Sequence, residues 1–365
     1  MDDTRQKDPY YRQVANVLRA KIVSTVRDTP TRLPNERQLS IIHNVSRATV
    51  RKALDLLADE GLIDRSTGRG TITLPDGIRA WRRLRGSRHI SLITSWQDWG
   101  SDPATYYGRI YQGILTSAEA AGYDLRIRHM SGSFPPFGPD YEPEDPLQSV
   151  GVIIGLVMDE RVIATHANAG NLVVCVDYWS SNPKVDCVVV DCFSEGQAAA
   201  QFLASQGHQQ FFYLGNIVGS GHDRKPEADA DLMLAGYRRA LTELGLSLPN
   251  SRVRYFRWNE VDRAVDWFAS LRPRPTAGVV FQAHVLETFV RGLAGHGLDC
   301  PRDVSLVTKN HTESKGNAAV MQVDAFRMGQ LAVELLIERA SGKRKLPQVV
   351  SIRSNFKRGP TVRRV

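Results

Sequence analysis

Apolar positions in the first seventy residues repeat with a helical period. Tyr10, Val14, Val17, Leu18 and Ile22 predict an amphipathic first helix. Asn35, with Gln38 three positions later, has the capping-box pattern that starts a second helix. Ser46 caps a third, whose Val50, Leu54 and Leu57 share one face, so that Arg47, Thr49 and Arg51 stand free near its start. The spacing predicts two short helices joined by a tight turn, with the first helix packed behind them. Leu62–Arg65 and Thr71–Leu74 then alternate as short strands around Ser66-Thr67-Gly68-Arg69-Gly70, which predicts a wing whose glycines let the backbone approach a phosphate or a minor groove.

From His89 the pattern changes to apolar strands alternating with helical stretches. His89–Thr94, Tyr123–His129, Val150–Leu156 and Leu172–Asp177 read as strands, with helices over Tyr107–Ala121 and Arg161–Ala169. The second half repeats the rhythm: strands at Val188–Val190, Phe211–Leu214, Val253–Phe256, Ala277–Phe281 and Val304–Val307, helices at Ser194–Gln206, Leu232–Leu244, Val261–Leu271 and Val285–Gly295. This predicts an α/β chain: an N-terminal winged helix-turn-helix, then two lobes of doubly wound parallel sheet. A ligand belongs at the carboxyl ends of the strands, in the cleft between the lobes. The expected divisions are residues 1–75, a linker over 76–88, and a two-lobed domain over 89–365.

Charge sharpens this. The chain carries +8, but residues 1–88 hold 18 Lys and Arg against 10 Asp and Glu, whereas the remainder holds 29 against 29. Excess positive charge confined to the N-terminal part fits a module that approaches phosphates, attached to a neutral domain. The linker contains Arg79, Arg82, Arg83, Arg85 and Arg88; it reads equally as a solvated tether or as extra phosphate contacts. The N-terminus has no apolar core of a signal peptide and no stretch suits a membrane span, so a cytoplasmic protein is expected. Cys175, Cys187, Cys192 and Cys300 lack metal spacing and read as buried thiols. No metal or cofactor is expected.

The motifs Leu33-Pro34-x-Glu36-Arg37-x-Leu39, Val45-Ser46-Arg47-x-Thr49-Val50-Arg51, Glu60-Gly61-Leu62-Ile63 and Gly68-Arg69-Gly70-Thr71 resemble the winged helix-turn-helix of the GntR family of bacterial transcription regulators, over roughly residues 8–74. The resemblance implies DNA contact by Arg37, Ser46, Arg47, Thr49, Arg51, Gly68, Arg69 and Gly70. A plainer reading of Arg51 pairs it with Asp55 at i,i+4. Val188-Val189-Val190-Asp191, Gly207-His208, Ala235-Gly236-Tyr237-Arg238, Pro275-Thr276-Ala277, Pro301-x-Asp303-Val304-Ser305, Gly329-x-x-Ala332 and Arg358-Gly359-Pro360-Thr361 resemble the LacI-type effector domain, itself similar to periplasmic sugar-binding proteins and usually homodimeric. The whole is an AraR-like arrangement.

For the cleft, the candidate ligand residues are Trp96, Asp98, Tyr107, Asp177, Trp179, Met233, Gln282, His284, Asn310 and His311. Aromatic faces after the first strand and after Asp177 suit ring stacking as well as packing. Where LacI-type sugar sensors commonly carry Arg, Asn-Asp and Asp, this chain has Met233, Gln282-Ala283 and Asn310, so common hexoses and pentoses are expected to bind weakly and the ligand to carry other groups. His208 reads as a structural turn residue. No Walker loop or His and Cys metal pattern occurs, and Lys184, Lys225, Lys309 and Lys315 read as loop lysines without Schiff-base context. The function expected is a ligand-responsive, homodimeric DNA-binding regulator of an inverted-repeat operator, a repressor of carbohydrate or related genes and not an enzyme. The alternative is a DNA-tethered enzyme acting on a sugar-like substrate, with His222-Asp223 and His311 as acid and base candidates.

Overall fold

Three helices, α1 (Tyr10–Ser24), α2 (Glu36–His43) and α3 (Arg47–Asp59), close around a small core of Val14, Leu18, Ile22, Leu39, Val50, Leu54 and Leu57. The structure is a computed structural model; it describes all residues except 1–8, 25–28, 66–69, 79–80, 82–88, 95–103, 130–148, 156–158, 219–224 and 311–317. Arg19 of α1 forks onto Glu60 just past α3, with Nη2–Oε1 2.6 Å and Nε–Oε2 2.7 Å, which fixes the two helices in register. Two short antiparallel strands, β1 (Ile63–Asp64) and β2 (Ile72–Thr73), follow, with Ile63 opposite Thr73. The tip of the expected wing, residues 66–69, lies outside the described residues.

The first lobe is a sheet in the order β14 (Val349–Ile352), β7 (Asp186–Val190), β6 (Val173–Val176), β5 (Val152–Gly155), β3 (His89–Thr94), β4 (Asp124–His129), all pairs parallel. Every residue of β3, β5 and β6 is buried, as a parallel sheet covered on both faces requires. Helices α4 (Tyr106–Ala120) and α5 (Glu160–Asn168) belong to this lobe, as does α10 (Ala325–Ala340). The second lobe orders β10 (Val253–Phe256), β8 (Phe211–Val218), β11 (Ala277–Gln282), β12 (Ser305–Asn310), β13 (Ala319–Gln322) and β15 (Asn355–Lys357), with β9 (Lys225–Pro226) beside β8. It is parallel apart from the β13–β15 and β8–β9 pairs. Helices α6 (Cys192–Ser205) and α7 (Ala228–Glu243) cover one face, α8 (Val261–Ser270) and α9 (Ala283–Gly295) the other. The chain passes between lobes after β7, after β13 and between β14 and β15. The strand periodicity stopped short of β13, β14 and β15, none of which is a long apolar run.

In each lobe a pair of helices meets through glycines. A Cβ on Gly196 of α6 would overlap the Met233 carbonyl of α7, and one on Gly236 of α7 would overlap the Phe193 carbonyl of α6. Gly113 of α4 and Gly329 of α10 face the Phe326 and Ile110 carbonyls in the same way. Neither crossing tolerates a methyl, because the contact is with backbone. Elsewhere, Asp186, with no exposed surface, receives Arg339 at 2.9 Å, Arg344 at 2.6 Å and the Gln348 amide at 2.9 Å, tying the end of α10 to the approach of β14. His208, read as a turn residue, is buried and bonds the Thr276 hydroxyl at 3.0 Å and the Arg363 carbonyl at 3.2 Å, holding the C-terminal segment down.

These crossings yield a direct comparison. Gly236→Ala and Gly113→Ala should each cost about 1–3 kcal/mol or more in urea unfolding, because a helix must shift to admit the methyl. Gly295→Ala, in helix with open space around its Cα, should be neutral or stabilising by up to ~1 kcal/mol. Equal effects at all three positions would show that the crossings are loosely packed.

Candidate functional site

The polar end of the N-terminal domain is built by its caps. Asn35 Oδ1 accepts from the Gln38 amide and Gln38 Oε1 accepts from the Asn35 amide, both at 2.9 Å, so the predicted capping box is present in full. Asn44, with φ of 49°, turns the chain in the left-handed region that Asn tolerates better than most residues, and Ser46 Oγ accepts from the Thr49 amide at 3.1 Å. The two helices therefore meet through a short turn, and α3 buries Val50, Ala53, Leu54 and Leu57. Arg47, Ala48, Arg51 and Lys52 are left exposed, with Thr49 half-buried and its hydroxyl 2.8 Å from that of Ser46. Arg37 is exposed in the first turn of α2.

Arg51 does not pair with Asp55. Its guanidinium reaches Glu36 at 3.0 Å, Arg65 reaches the same carboxylate at 2.8 Å, and Asp55 pairs with Arg65 instead. The hydrogen bond from Arg51 is the main reason that the Glu36 carboxyl sits below its ordinary range. Gly70 has φ of +89°, which excludes a side chain without strain, and packs on the Arg32 guanidinium. Gly68 and Arg69 lie outside the described residues, as do residues 79–80 and 82–88 of the basic linker.

At the other end of the molecule, carboxyl ends of strands from both lobes supply a second group of polar side chains. Asp177 follows β6 with φ of 58°, a left-handed conformation in which its carboxylate accepts from the Tyr106 hydroxyl at 2.9 Å, from the first turn of α4. Tyr107, half-buried, packs edge-on against Tyr106 with ring centroids 5.0 Å apart. From the second lobe, Lys309 of β12 is 1% exposed. Its Nζ lies 3.0 Å from Asp229 in the first turn of α7, 3.2 Å from Cys192 Sγ, and 5.3 Å from the centre of the Phe281 ring. Asn216 of β8 donates from Nδ2 to Glu227 at 2.7 Å.

These groups feel one another across the cleft. Burial, reinforced by the charges of Asp229 and Glu227 and opposed by Lys309, pushes the Asp177 carboxyl up to about 7. Burial likewise raises Glu227. Burial and the Asp177 charge hold the Tyr106 and Tyr107 hydroxyls well above their usual range. For Lys309 burial works against the ammonium, but Asp229, Cys192, Glu195 and Asp177 outweigh it and its pKa is raised.

Of the residues expected in the cleft, Asp177 and Tyr107 are brought together here. Gln282 ends β11 and, with Asn216, Arg257 and Phe256, lines a recess at the same end of the second lobe; its Oε1 is buried without a partner. Trp179 is 61% exposed beyond β6, and His284 is exposed at the start of α9. Met233 is different: it has no exposed surface and sits in the core beneath α7, so it offers nothing to a ligand. Trp96, Asp98 and His311 lie outside the described residues, and Asn310 ends β12. Lys309, read as a loop lysine, is a strand residue, because Lys309 pairs in register with Met321 of β13 and extends β12 beyond Val307. Lys309, Asp229, Glu227, Tyr106 and Asn216 were not singled out by sequence; a lone lysine next to the apolar run Ser305–Val307 was the available signal. Among the described residues no group of His, Cys, Asp and Glu could hold a metal, and no helix is long and apolar enough to cross a membrane.

A carboxyl with a raised folded pKa keeps its full contribution to stability below the ordinary carboxylate value of about 4 and loses it as pH rises through 7. Asp177→Asn should therefore gain progressively on the natural protein between pH 4 and 7, by up to about 4 kcal/mol, and no more above that. Thermal melts at fixed pH steps measure it, and a constant difference at all pH values would show that Asp177 titrates normally.

Comparison with known proteins assigns both ends. Residues 10–72 match the profile of the bacterial regulatory proteins of the gntR family, and residues 200–361 that of a periplasmic binding protein-like domain. The HTH-type transcriptional regulator GgaR of Escherichia coli K12 is 43% identical over 63 residues, 17% of this chain and 25% of that protein. GmuR of Bacillus subtilis is 36% identical over 69 residues, 19% of this chain and 29% of that one. The chain thus matches only about a quarter of the length of these curated relatives. Among solved structures, a transcriptional regulator CelR–cellobiose complex superposes with a TM-score of 0.61 at 16% identity, over 90% of this chain and all of that one. A LacI family regulator from Enterococcus faecium with bound ribose gives 0.58 at 15% identity, over 76% and 99%. At such identities the likeness concerns the fold. The chain joins a gntR-family helix-turn-helix domain at its N-terminus to a periplasmic-binding-protein-like domain of LacI-like fold.

Proposed function

We propose that the protein is a non-catalytic, ligand-responsive transcriptional regulator that binds double-stranded DNA through α3 and a small effector through the interlobe cleft. The observation that carries this reading is the presentation of α3. Its apolar stripe is fully used in the core, while the exposed side chains of its first turns, Arg47, Arg51 and Lys52, have the size, charge and free surface to enter a major groove. Ser46 and Thr49, and Arg37 from α2, flank that surface as backbone-positioning groups. The Gly70 conformation supports a wing beside it. DNA binding places the protein in the cytoplasm with the chromosome.

The domain organisation inferred is a reader over 1–75, a basic linker over 76–88 and an effector and dimerisation domain over 89–365. A dimer of such readers addresses an inverted repeat, since two-fold symmetry in the protein selects it in the site. Repression of adjacent carbohydrate or related genes is the regulatory sense proposed. The bound cellobiose and ribose of the structural neighbours support a small polar effector in the cleft.

Footprinting on the DNA flanking the gene tests the reading. A protected inverted repeat is expected, with Arg47→Ala weakening the cognate site by ~1–3 kcal/mol and narrowing the gap between cognate and random DNA. Unchanged affinity in Arg47→Ala, or protection without two-fold symmetry, would count against it.

A further inference from the structure

We propose that the effector is a small molecule bearing a protonated amine, held between Asp177 of the first lobe and Glu227 and Asn216 of the second. This rests on the cleft being the effector site. Three carboxylates, Asp177, Glu227 and Asp229, meet at the carboxyl ends of the strands, and Lys309 is the ammonium buried among them. That ammonium is committed: it stands 3.0 Å from Asp229 and is sealed from solvent by the chain around it. Among the described residues Asp177 and Glu227 have no such partner. Among the described residues neither makes an ion pair; the hydrogen bonds that reach their carboxylates come from neutral groups, the Tyr106 hydroxyl and the Asn216 amide. Further below, Glu195 is 2% exposed and bonds the Ser354 hydroxyl, with its second oxygen unpartnered. Among the described residues the cleft therefore holds more carboxyl groups than Lys309 can neutralise, and ionising all of them costs free energy until a cation enters.

A second observation points to a donor. Asn216 is 8% exposed, and because its Nδ2 donates to a carboxylate, its Oδ1 is the oxygen left over; that atom is buried with no partner. Gln282 Oε1, in the recess with Asn216, is also buried and unpartnered. Orphaned acceptors beside two carboxylates without counter-charge call for a group that only donates, and a primary ammonium offers three N–H bonds and a full positive charge. A neutral hydroxyl supplies one donor and leaves the charge unanswered. The faces of Tyr106 and Tyr107 beside Asp177 suit a cation further, through their ring quadrupoles. Arg257 lines the recess on the α8 side, with Nε buried and unpartnered. It gives the other end of the ligand a donor for a hydroxyl or carboxylate, so a polyhydroxylated amine or an amino acid fits the two ends together.

Calorimetry on the whole chain tests the idea with probes matched in shape and differing in charge: glucosamine against glucose and N-acetylglucosamine, and putrescine against 1,4-butanediol. Binding by one or more amines, at least tenfold tighter than by the matched neutral compound, is expected. Asp177→Asn and Glu227→Gln should each weaken that amine about tenfold or more while leaving melting cooperative, and Glu227→Gln serves should Asp177→Asn disturb the fold. If a neutral sugar binds as tightly as its amine, the charge proposal is wrong and the effector cleft stands. If none of the probes binds, the proposal is overturned; operator binding, measured on the same sample, then separates a domain without this ligand class from a protein that does not read DNA at all.

Discussion

Burying an ammonium is among the most expensive things a fold can do, and the second lobe does it at Lys309. A strand residue cannot swing away: parallel pairing with β11 and β13 fixes its backbone, and the side chain has room only toward Asp229, Cys192 and Phe281. The charge must therefore be answered where it lies. Asp229 answers it from the first turn of α7, a position where the helix dipole also favours a carboxylate. That requirement ties the start of α7 to the end of β12. It also places Glu227, the residue before the helix, at the mouth of the cleft.

The placement of α7 is in turn exact because its crossing with α6 is backbone on backbone. With Gly196 and Gly236 facing the carbonyls of the opposite helix, no side chain rotamer can cushion a shift. The same device between α4 and α10 in the first lobe positions Tyr106 and Tyr107 over Asp177. Strand carboxyl ends of both lobes contribute to the cleft, where Asp177 feels the charges of Lys309, Asp229 and Glu227. The polar groups then converge in one place, although they are separated by as much as 203 residues, from Tyr106 to Lys309.

What could be read from sequence follows from how local each feature is. The caps at Asn35 and Ser46 and the stripe of Val50, Leu54 and Leu57 involve neighbours within four residues, and the helices begin where the caps require. The alternation of buried strands and amphipathic helices after residue 89 was equally legible, since β5 and β6 are continuous apolar runs and β3 is rich in Ile and Leu. The cleft was legible only in part. Asp177 and Tyr107 could be placed at strand and helix ends, whereas Lys309 looked like a loop residue because a lysine ends an apolar run as effectively as a turn does. Only pairing with β13, itself a strand without a strong pattern, carries β12 further. Met233 failed in the opposite direction: its place in the family pattern pointed to the cleft, but a thioether has no reason to face water, and α7 turns it into the core with Tyr237 and Leu241.

The two ends of the chain use ion pairs in opposite ways. Arg51 pairs with Glu36 while its side chain is 62% exposed, so water competes for the guanidinium throughout and releasing it to a phosphate or a base costs little. The pair orients the arginine at the start of α3 without withholding it, and Arg65 remains to hold Glu36 when Arg51 leaves. Lys309 and Asp229 are at the other extreme: with no water to replace Asp229 at the buried ammonium, separating them would strand the lysine's charge in the interior. That ammonium is therefore part of the scaffold and its aspartate is unavailable. Among the described residues the carboxylates left without a counter-charge are Asp177 and Glu227, and the proposed preference for a cation rests on them.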